Sequence, residues 1–371
     1  MKYFPTIVIA FLTVVGIPLL AYTEELVEFH PHFSLTGYYD DNIDFSPQTG
    51  SEDMYLKMSP GLSSRLNLKW LPIEADYTYT RYQYHKRNDL TRDFHNFSIK
   101  TLKALRIFNN VTLKIDEKYD TVPVDINLPA SQPSNLTQRN TFSVKPLWEK
   151  YFSRKMKFAA GYEFSRVDYT SSGLTGDDYY GHRFFFRWDG EIYRSLIIYQ
   201  KDQYQLKYFK TAPDYTQFLP EAGVKMKFGR RLTLDVNGGY SFDQTGDEKH
   251  GGYVYSVVGG WIPASRIKLQ ATFRQNRTTD VQGEPYTEEY YELNLDYKAS
   301  KRLALDSYIR YYDYTFDNSR TKRMSFKLGA VYRLNKWSSL NAGYIRIQNV
   351  DMSPEDSAKA NRVYLGVNIT L

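Results

Sequence analysis

From Phe29 to the end of the chain, apolar and polar residues alternate in stretches of about 10 to 15 residues, as they do in the strands of membrane barrels. Every second residue from Met324 to Leu334 is apolar, and most residues between them, from Arg323 to Arg333, are polar or charged. Because successive side chains of a strand point to opposite faces, each stretch predicts a strand with one face toward lipid and the other toward water.

Short basic connections alternate with longer polar loops along the chain. The short ones recur at 152–155, 228–232, 263–267, 299–303 and 335–338. Since outer-membrane barrels have short periplasmic turns and longer external loops, this order predicts an all-β fold, a transmembrane antiparallel up-and-down β-barrel of about 18 strands. The predicted strands are residues 29–40, 54–69, 72–85, 92–103, 107–119, 137–147, 155–169, 178–189, 193–209, 215–228, 232–244, 251–262, 266–279, 285–299, 303–316, 322–334, 338–350 and 359–371.

The N-terminus has the features of a signal peptide. Lys2 supplies a positive charge, and residues 7–21 form the only long apolar run of the chain. This run is too short for a spanning helix, and Pro18 near its end disfavours the alternative, a retained anchor helix. We therefore expect a signal peptide over residues 1–21 and the outer-membrane barrel over residues 22–371.

Aromatic residues make up 16% of the chain and are sorted along it. Every Trp lies beside a predicted short turn, whereas Tyr clusters at the opposite strand ends, which predicts two girdles at the membrane interfaces. The apolar alternation from Val363 to Leu371 resembles the terminal strand read by the outer-membrane assembly machinery. Outer-membrane lipid and that machinery are the expected partners.

No motif for catalysis is present. The chain has no Cys, which excludes disulfides and thiol chemistry, and it has no GxSxG, HExxH or phosphate-binding glycine motif. His30 and His32 share one face of the first predicted strand, a spacing that suits a metal, but no convincing companion ligand follows and a lumen-facing pair is the alternative. We expect no enzyme activity, no metal, no cofactor and no nucleic-acid partner.

The charged residues are assigned to the inward face, because a Lys or Arg facing lipid costs about 2–4 kcal/mol at mid-depth. Inward bases then outnumber inward acids, which predicts a lumen that favours anions. The alternative is that mixed charges only hydrate and rigidify the wall. The predicted pore-lining residues are Lys57, Arg65, Arg183, Arg187, Lys201, Lys225, Lys227, Arg266, Lys268, Arg274, Arg310, Arg323, Lys327 and Arg333.

The connection 120–138 is a candidate constriction. Pro123, Pro129 and Pro133 are expected to prevent continuous strand pairing, because proline lacks a backbone donor. Apolar side chains would be poorly placed in a wholly solvated loop, so we expect this loop to fold over or into the barrel mouth, with a mobile external loop as the alternative. The candidate constriction residues are Val122, Val124, Ile126 and Leu128.

The first hairpin resembles the beta-barrel porin type 2 group. Residues 37–44, 58–66 and 75–82 carry the resemblance, with Asp-Asn after a Tyr-containing strand and Pro-Gly in the next strand. The resemblance covers about the first 60 residues after the signal peptide and has moderate specificity. It implies an outer-membrane barrel associated with exopolysaccharide gene clusters, including clusters linked to PEP-CTERM sorting.

The sequence therefore predicts a passive conduit for a secreted, anionic exopolysaccharide. Exopolysaccharide and its periplasmic export proteins would then be partners. A general anion-selective porin is the first alternative, and a structural or adhesive surface barrel is an alternative of a different class. An enzyme acting on lipid or polysaccharide ranks last.

Overall fold

The computed structural model describes residues 27–47, 50–68, 72–102, 105–108, 110–124, 135–170, 176–317, 319–350 and 357–371. The predicted signal peptide, residues 1–21, lies outside these described residues. Among these residues, no helix is long and apolar enough to cross a membrane.

Nearly all of the described chain is β-strand. The first strands are β1 (Val27–Asp40), β2 (Asp53–Asn67), β3 (Pro72–Tyr84), β4 (Arg92–Thr101), β5 (Leu105–Phe108), β6 (Val111–Pro123), β7 (Leu136–Ser153), β8 (Met156–Thr170), β9 (Tyr179–Tyr193) and β10 (Leu196–Phe209). The remaining strands are β11 (Tyr215–Phe228), β12 (Leu232–Thr245), β13 (Glu248–Ala264), β14 (Ile267–Thr279), β15 (Pro285–Lys298), β16 (Leu303–Thr315), β17 (Arg320–Arg333), β18 (Ser338–Asn349) and β19 (Lys359–Thr370). One 3-10 turn, Asn88–Leu90, precedes β4.

The strands form one closed antiparallel barrel. β1 pairs with β2 on one side and with β19 on the other, where His32 lies opposite Thr370. β4 and β5 both pair with β6, so they are two segments of a single barrel strand. The barrel therefore has 18 strands, as predicted.

The sequence misplaced one turn of the barrel. A turn was expected at 104–106, with the next strand at 107–119, whereas β5 continues the preceding barrel strand to Phe108 and β6 begins at Val111. Asn110 has a φ of 71° in this turn. Asn tolerates the left-handed conformation better than most residues, so the backbone reverses there.

Short turns and longer loops lie at opposite ends of the barrel, called here the turn end and the loop end. The predicted short turns at 152–155, 228–232, 263–267, 299–303 and 335–338 are all confirmed as breaks between strands at the turn end.

The gap predicted between the strands 232–244 and 251–262 is wrong, because pairing between β12 and β13 continues to Thr245 opposite Glu248. Gly246, with a φ of 57°, closes that tight hairpin.

Pairing of β6 and β7 also continues further than expected. Pro123 lies opposite Leu136, so it does not end the ladder. The Val124 amide donates to the Asn135 carbonyl oxygen at 2.8 Å, and in an antiparallel ladder the next pair makes no backbone hydrogen bonds. Pro123 occupies that neighbouring position, where its missing donor has no cost.

Candidate functional site in the barrel interior

The barrel wall has one apolar and one polar face. Large apolar side chains such as Phe184, Leu328 and Leu365 are 48%, 52% and 65% exposed, and none has a protein layer over it. An exposed belt of this kind matches a hydrocarbon environment, where acyl chains cover it. The opposite, polar face then encloses the interior of the barrel.

Thirteen of the fourteen predicted pore-lining residues lie in strands on this polar face. Cross-strand partners share a face, so the register places Arg187 beside Lys201, and Lys201 beside Glu221. Arg266 is the exception, since it lies in the turn between β13 and β14 rather than in a strand. The expectation that β14 begins at residue 266 is wrong by one residue, because pairing of the two strands ends at Ala264 and Ile267.

Many of these bases are paired with acids. Seven of the fourteen form ion pairs across the polar face or along their own strand. The ion pairs are Arg183–Glu163, Arg187–Asp189 (2.7 Å), Lys201–Glu221 (3.0 Å), Lys225–Asp235 (3.3 Å), Arg274–Glu288 (2.9 Å), Arg310–Glu292 and Lys327–Asp306 (2.6 Å).

Two acids in these pairs were missed from the sequence, whose alternation assigns to the interior only Glu74, Asp76, Asp116, Glu163, Glu221, Asp235, Glu292, Asp296 and Asp306. Asp189 lies at the end of a predicted strand, and Glu288 lies four residues from Glu292, which was assigned to the interior. Extending the alternation through the whole strand places Glu288 on the same face as Glu292. Each of these two acids neutralises one of the predicted interior bases.

In four of the ion pairs the base is much more exposed than the acid. The side-chain exposures are 43% and 14% for Arg183 and Glu163, 31% and 10% for Lys201 and Glu221, 46% and 14% for Arg274 and Glu288, and 34% and 10% for Arg310 and Glu292. The carboxylates lie close to the wall and the cations reach away from it. Water in the interior therefore meets a more basic surface than the charge count implies.

The other predicted bases differ in their surroundings. Among the described residues, no salt bridge is found for Lys57, Arg65, Lys227, Lys268 or Arg333. Arg323 is only 8% exposed and donates to Asn349 at 3.4 Å.

Tyrosine rings support several of the cations. The Arg187 guanidinium lies 4.4 Å from the centroid of Tyr199, and Lys225 lies 5.4 Å from the same ring. Tyr199 in turn donates from its hydroxyl to Asp235 at 2.7 Å. Such contacts fix the position of a charged group while leaving part of it solvated.

The loop between β1 and β2, called here the loop 41–52, packs with its described residues 41–47 and 50–52 against the interior face at the loop end. Ile43 is 3% exposed and contacts Tyr55 and Tyr84, which the register places on the polar face of β2 and β3. Phe45 is 5% exposed and contacts Ile347, which lies opposite Ser325 on the polar face of β17. This loop therefore reaches two separate parts of the inner wall.

Polar contacts hold the same loop in place. The Arg87 guanidinium donates to Asp44 and to Asp89, each at 2.8 Å. The side-chain amide of Asn42 donates to the Lys359 carbonyl oxygen at 2.8 Å. The hydrogen bond from Arg87 holds the pKa of the Asp89 carboxyl below its ordinary value. The loop is tied both to β19 and to the loop that follows β3.

Two further contacts cross the mouth of the barrel. The Asp177 amide, in the connection before β9, donates to the Val281 carbonyl oxygen, in the connection before β15, at 2.7 Å. The ammonium of Lys207 on β10 donates to Thr279 at the end of β14 at 2.6 Å. Because several strands separate the partners in each case, the loop end is narrower than an open barrel of this size.

The sequence-predicted constriction 120–138 is only partly described. Val122 belongs to β6, where it lies opposite Thr137, and Val124 is 2% exposed at the end of the hairpin. Ile126 and Leu128 lie outside the described residues. The burial of Val124 is compatible with a packed loop, and the constriction stays a prediction for this segment.

Histidines occur at two places of possible interest for metals. His32 lies 3.1 Å from the Thr78 hydroxyl, and His30 lies 3.4 Å from Glu28. At the loop end, ligand atoms of Glu248, His250 and Asp317 lie within 4.8 Å of one another. The residue set of that group was not anticipated, because Asp317 is distant from the other two in sequence.

A closed 18-strand antiparallel barrel with an apolar outer belt and a charged interior defines the class of porin-like β-barrels of the bacterial outer membrane. The chain belongs to the family Putative beta-barrel porin 2, whose model matches residues 28–371. This family is one of transport proteins rather than catalysts, and the turn end of the barrel is accordingly periplasmic. A search of curated proteins found no match.

Solved outer-membrane porins share this fold at low sequence identity. OccK2 (OpdF) of Pseudomonas aeruginosa has a TM-score of 0.53 and 10% identity, over 93% of this chain and 97% of that chain. OccAB3 of Acinetobacter baumannii has a TM-score of 0.50 and 12% identity, over 93% and 99%. OpdK of Pseudomonas aeruginosa, solved with vanillate, has a TM-score of 0.50 and 11% identity, over 93% and 98%. Similarity at this level concerns the fold alone.

Proposed function

We propose that this porin is a passive conduit for an anionic exopolysaccharide that crosses the outer membrane from the periplasm. The observation that carries the proposal is the unequal exposure within interior ion pairs, in which bases such as Lys201 and Arg274 reach into the interior and their acids stay near the wall. An accessible basic surface raises the local concentration of anions.

The interior tyrosines support a saccharide rather than a simple ion. Aromatic rings offer flat apolar surfaces to sugar rings, and their hydroxyls both donate and accept hydrogen bonds. Tyr199, Tyr290 and Tyr308 each lie within 5 Å of an arginine guanidinium. The resemblance of the first hairpin to barrels of exopolysaccharide gene clusters agrees with this substrate class. Periplasmic export proteins would deliver the chain to the turn end.

Planar bilayers test the proposal directly. Under a KCl gradient at low ionic strength, where screening is weak, the reversal potential should show preference for chloride. Addition of an acidic oligosaccharide, such as an oligomer of galacturonic acid, should reduce the current more than an uncharged glucose oligomer of equal length. Cation selectivity, or equal reduction by the two oligomers, would contradict the proposal.

A matched set of variants locates the effect. Lys227→Gln and Lys268→Gln together remove two exposed bases that have no salt bridge within the described chain, so the chloride preference should fall. Lys336→Gln is the control, because Lys336 lies in a turn and stacks on Trp337 at 4.3 Å, outside the interior wall. An equal fall in chloride preference in the double variant and in Lys336→Gln would show that the interior charge does not set the selectivity.

A general anion-selective porin for small solutes is the second candidate. The inward-packed loop 41–52 favours it, because a narrowed mouth admits a small anion more readily than a polymer. The two candidates differ in the oligosaccharide experiment: a polymer conduit binds long acidic oligomers in the lumen, whereas a small-solute porin conducts monomers and excludes the oligomers.

A further inference from the structure

We infer that Arg274 and Arg310, together with the tyrosines between them, form a subsite for the carboxylate of an acidic sugar on the interior face of β14, β15 and β16. The inference rests on the proposed function, and it assigns the acidic group of the substrate to particular residues. It is carried by the register, the ring contacts and the unused hydrogen-bond donors of the two arginines.

The strand register brings these residues together. Arg274 on β14 lies opposite Tyr290 on β15, and Tyr290 lies opposite Tyr312 on β16. Arg310 lies opposite Glu292, one interior position closer to the turn end. Since strands are about 4.8 Å apart, the two arginines are separated across the wall by roughly 10 Å.

Each guanidinium lies on a tyrosine ring. The centre of Arg274 is 4.8 Å from the centroid of Tyr290, and that of Arg310 is 3.9 Å from the centroid of Tyr308. The rings of Tyr290 and Tyr312 lie 4.9 Å apart between the two cations. Stacking of this kind fixes the plane of a guanidinium, which lowers the entropy cost when it binds a ligand.

Both arginines retain hydrogen-bond donors. Arg274 donates from Nη2 to Glu288 at 2.9 Å, and Arg310 donates from Nε to Glu292. A guanidinium has five N–H donors. For the remaining N–H groups of Arg274 and Arg310, no protein acceptor is found within the part of the chain that the structure describes. Glu292 is further occupied by the Asn294 amide. The free donors of each fork therefore suit an incoming carboxylate, which guanidinium groups bind in a bidentate manner.

The ligand class follows from the two kinds of contact. A carboxylate alone would use the guanidinium forks, whereas a ring-shaped sugar also meets the wall formed by Tyr290, Tyr308 and Tyr312. A saccharide that carries its carboxylate on the ring satisfies both requirements. An extended chain of such units reaches both arginines, because their separation exceeds the size of one bound carboxylate.

The test measures block of single-channel current by galacturonic-acid oligomers and by glucose oligomers of equal length. The double variants Arg274→Gln/Glu288→Gln and Arg310→Gln/Glu292→Gln remove each ion pair together, so that no buried carboxylate is left unpaired. Each should weaken block by the acidic oligomer about tenfold, as expected for loss of a hydrogen-bonded charge contact, and should leave block by the glucose oligomer unchanged. Tyr312→Ala should weaken block by both oligomers.

Controls come from the same strands and from an equivalent ion pair. Tyr311→Ala changes a ring on the apolar face of β16, beside Tyr291 at 5.8 Å, and should leave both block constants unchanged. Arg183→Gln/Glu163→Gln removes an ion pair from β8 and β9, where Glu163 also contacts Lys145 at 3.1 Å, and should preserve most of the acidic preference. Heat-modifiable migration on gels confirms that each variant is folded.

The outcomes separate the subsite from the proposed function. If the wild-type barrel prefers acidic oligomers and both double variants keep that preference, the subsite is wrong and the conduit remains. If the wild-type barrel shows no preference for acidic oligomers, the proposed function itself fails. The conservative variant Arg310→Lys keeps the charge and loses the fork, so a block constant between those of wild type and the Gln double variant supports bidentate binding.

Discussion

At the scale of single residues, Asp40 and Arg362 form the ion pair with the lowest exposure among the described residues, at 1% and 4% for the two side chains. The pair joins β1 to β19, where the barrel closes, and Tyr55 and Tyr84 lie beside the guanidinium. Two neighbouring contacts reinforce the same junction, because Asp41 accepts from the amide and the side chain of Asn361, each at 2.7 Å.

Removal of one partner from this pair should destabilise the barrel strongly. Asp40→Ala leaves a buried guanidinium without its counter-ion, which costs about 3–5 kcal/mol of unfolding free energy. Urea unfolding of the barrel in detergent or lipid, followed by tryptophan fluorescence, measures the change. Lys86→Ala is the matched control, because its ion pair with Glu52 is 58% exposed on both sides and should contribute no more than about 1 kcal/mol. Equal effects of the two substitutions would contradict the argument.

The pair of Lys201 and Glu221 provides a second residue-scale prediction. Glu221→Gln leaves Lys201 without a counter-charge and should increase chloride selectivity, whereas Lys201→Gln leaves the acid and should decrease it. Both variants change one charge at the same position in the lumen, so each serves as the control for the other. Reversal potentials at low salt should shift in opposite directions, and a shift in the same direction would show that this position does not set selectivity.

At the scale of elements, the loop between β1 and β2 packs into the mouth of the barrel. Its apolar residues Ile43 and Phe45 occupy separate clusters on the inner wall, and its Asn42 bonds to β19. The sequence predicts a constriction at 120–138, and residues 125–134 of that loop lie outside the described part of the chain. Both loops contain apolar residues, and only the structure reveals that Ile43 and Phe45 meet apolar partners on the polar face.

Shortening the loop 41–52 should widen the pore. Deletion of residues 44–50 with a Gly-Ser link removes Phe45 and the Asp44 partner of Arg87, and single-channel conductance should rise. Deletion of residues 125–134 is the parallel test of the constriction predicted from the sequence, and conductance should rise there as well if that loop enters the mouth. Unchanged conductance in a correctly folded deletion would remove the corresponding loop from the constriction.

The contact of Arg87 with Asp89 gives the same loop a dependence on pH. The pKa of Asp89 is lowered in the folded protein, so its stabilising contact is fully present above the ordinary carboxyl pKa and is lost as the pH falls through the lowered value. Below about pH 4 the contact of Asp89 with Arg87 should weaken, and Arg87 should then position Asp44 less firmly. The loop 41–52 should loosen and conductance should rise. Arg87→Ala should have the higher conductance at neutral pH and a smaller response to acid. If conductance of the Arg87→Ala variant rises at low pH as much as that of the wild type, the pH dependence does not arise from Arg87.

At the scale of the whole molecule, the pairing order of the 18 barrel strands closes on itself, so that among the described strands each has a neighbour on both sides. The first and last strands complete the circle, with residues from His32 to Asp40 opposite residues from Thr370 to Arg362. Backbone groups in a membrane must be satisfied internally, so closure is a condition of insertion rather than a detail of the fold.

The closed barrel should therefore resist denaturation by detergent. Unheated samples should migrate differently from boiled samples on SDS gels, and circular dichroism in detergent should be rich in β-structure and persist after protease treatment. The Asp40→Ala variant should lose the compact form at a lower temperature than the wild type, because it weakens the closing junction. A detergent-independent soluble monomer would contradict the membrane barrel.

The sequence determined the strands, their two faces and the alternation of turns and loops, because the two-residue period and the turn residues act locally. Thirteen of the fourteen bases that it predicts to line the pore lie in strands, on one face of the sheet, and Arg266 lies in a turn; their role in the pore stays a prediction. The turn at Asn110 was not predicted, because β4 and β5 are two segments of one barrel strand and the interruption between them resembles a turn in the sequence.

The tertiary structure alone decided which charges are neutralised and that Ile43 and Phe45 pack into the mouth. The partner of Lys201 is Glu221 because the register of β10 on β11 puts them opposite each other, and register depends on the whole sheet rather than on either strand. Phe45 is buried because Ile347 and Ala360, about 300 residues further along the chain, return to its side when the barrel closes. Contacts of that kind depend on distances in space, which a periodic pattern along the chain does not contain.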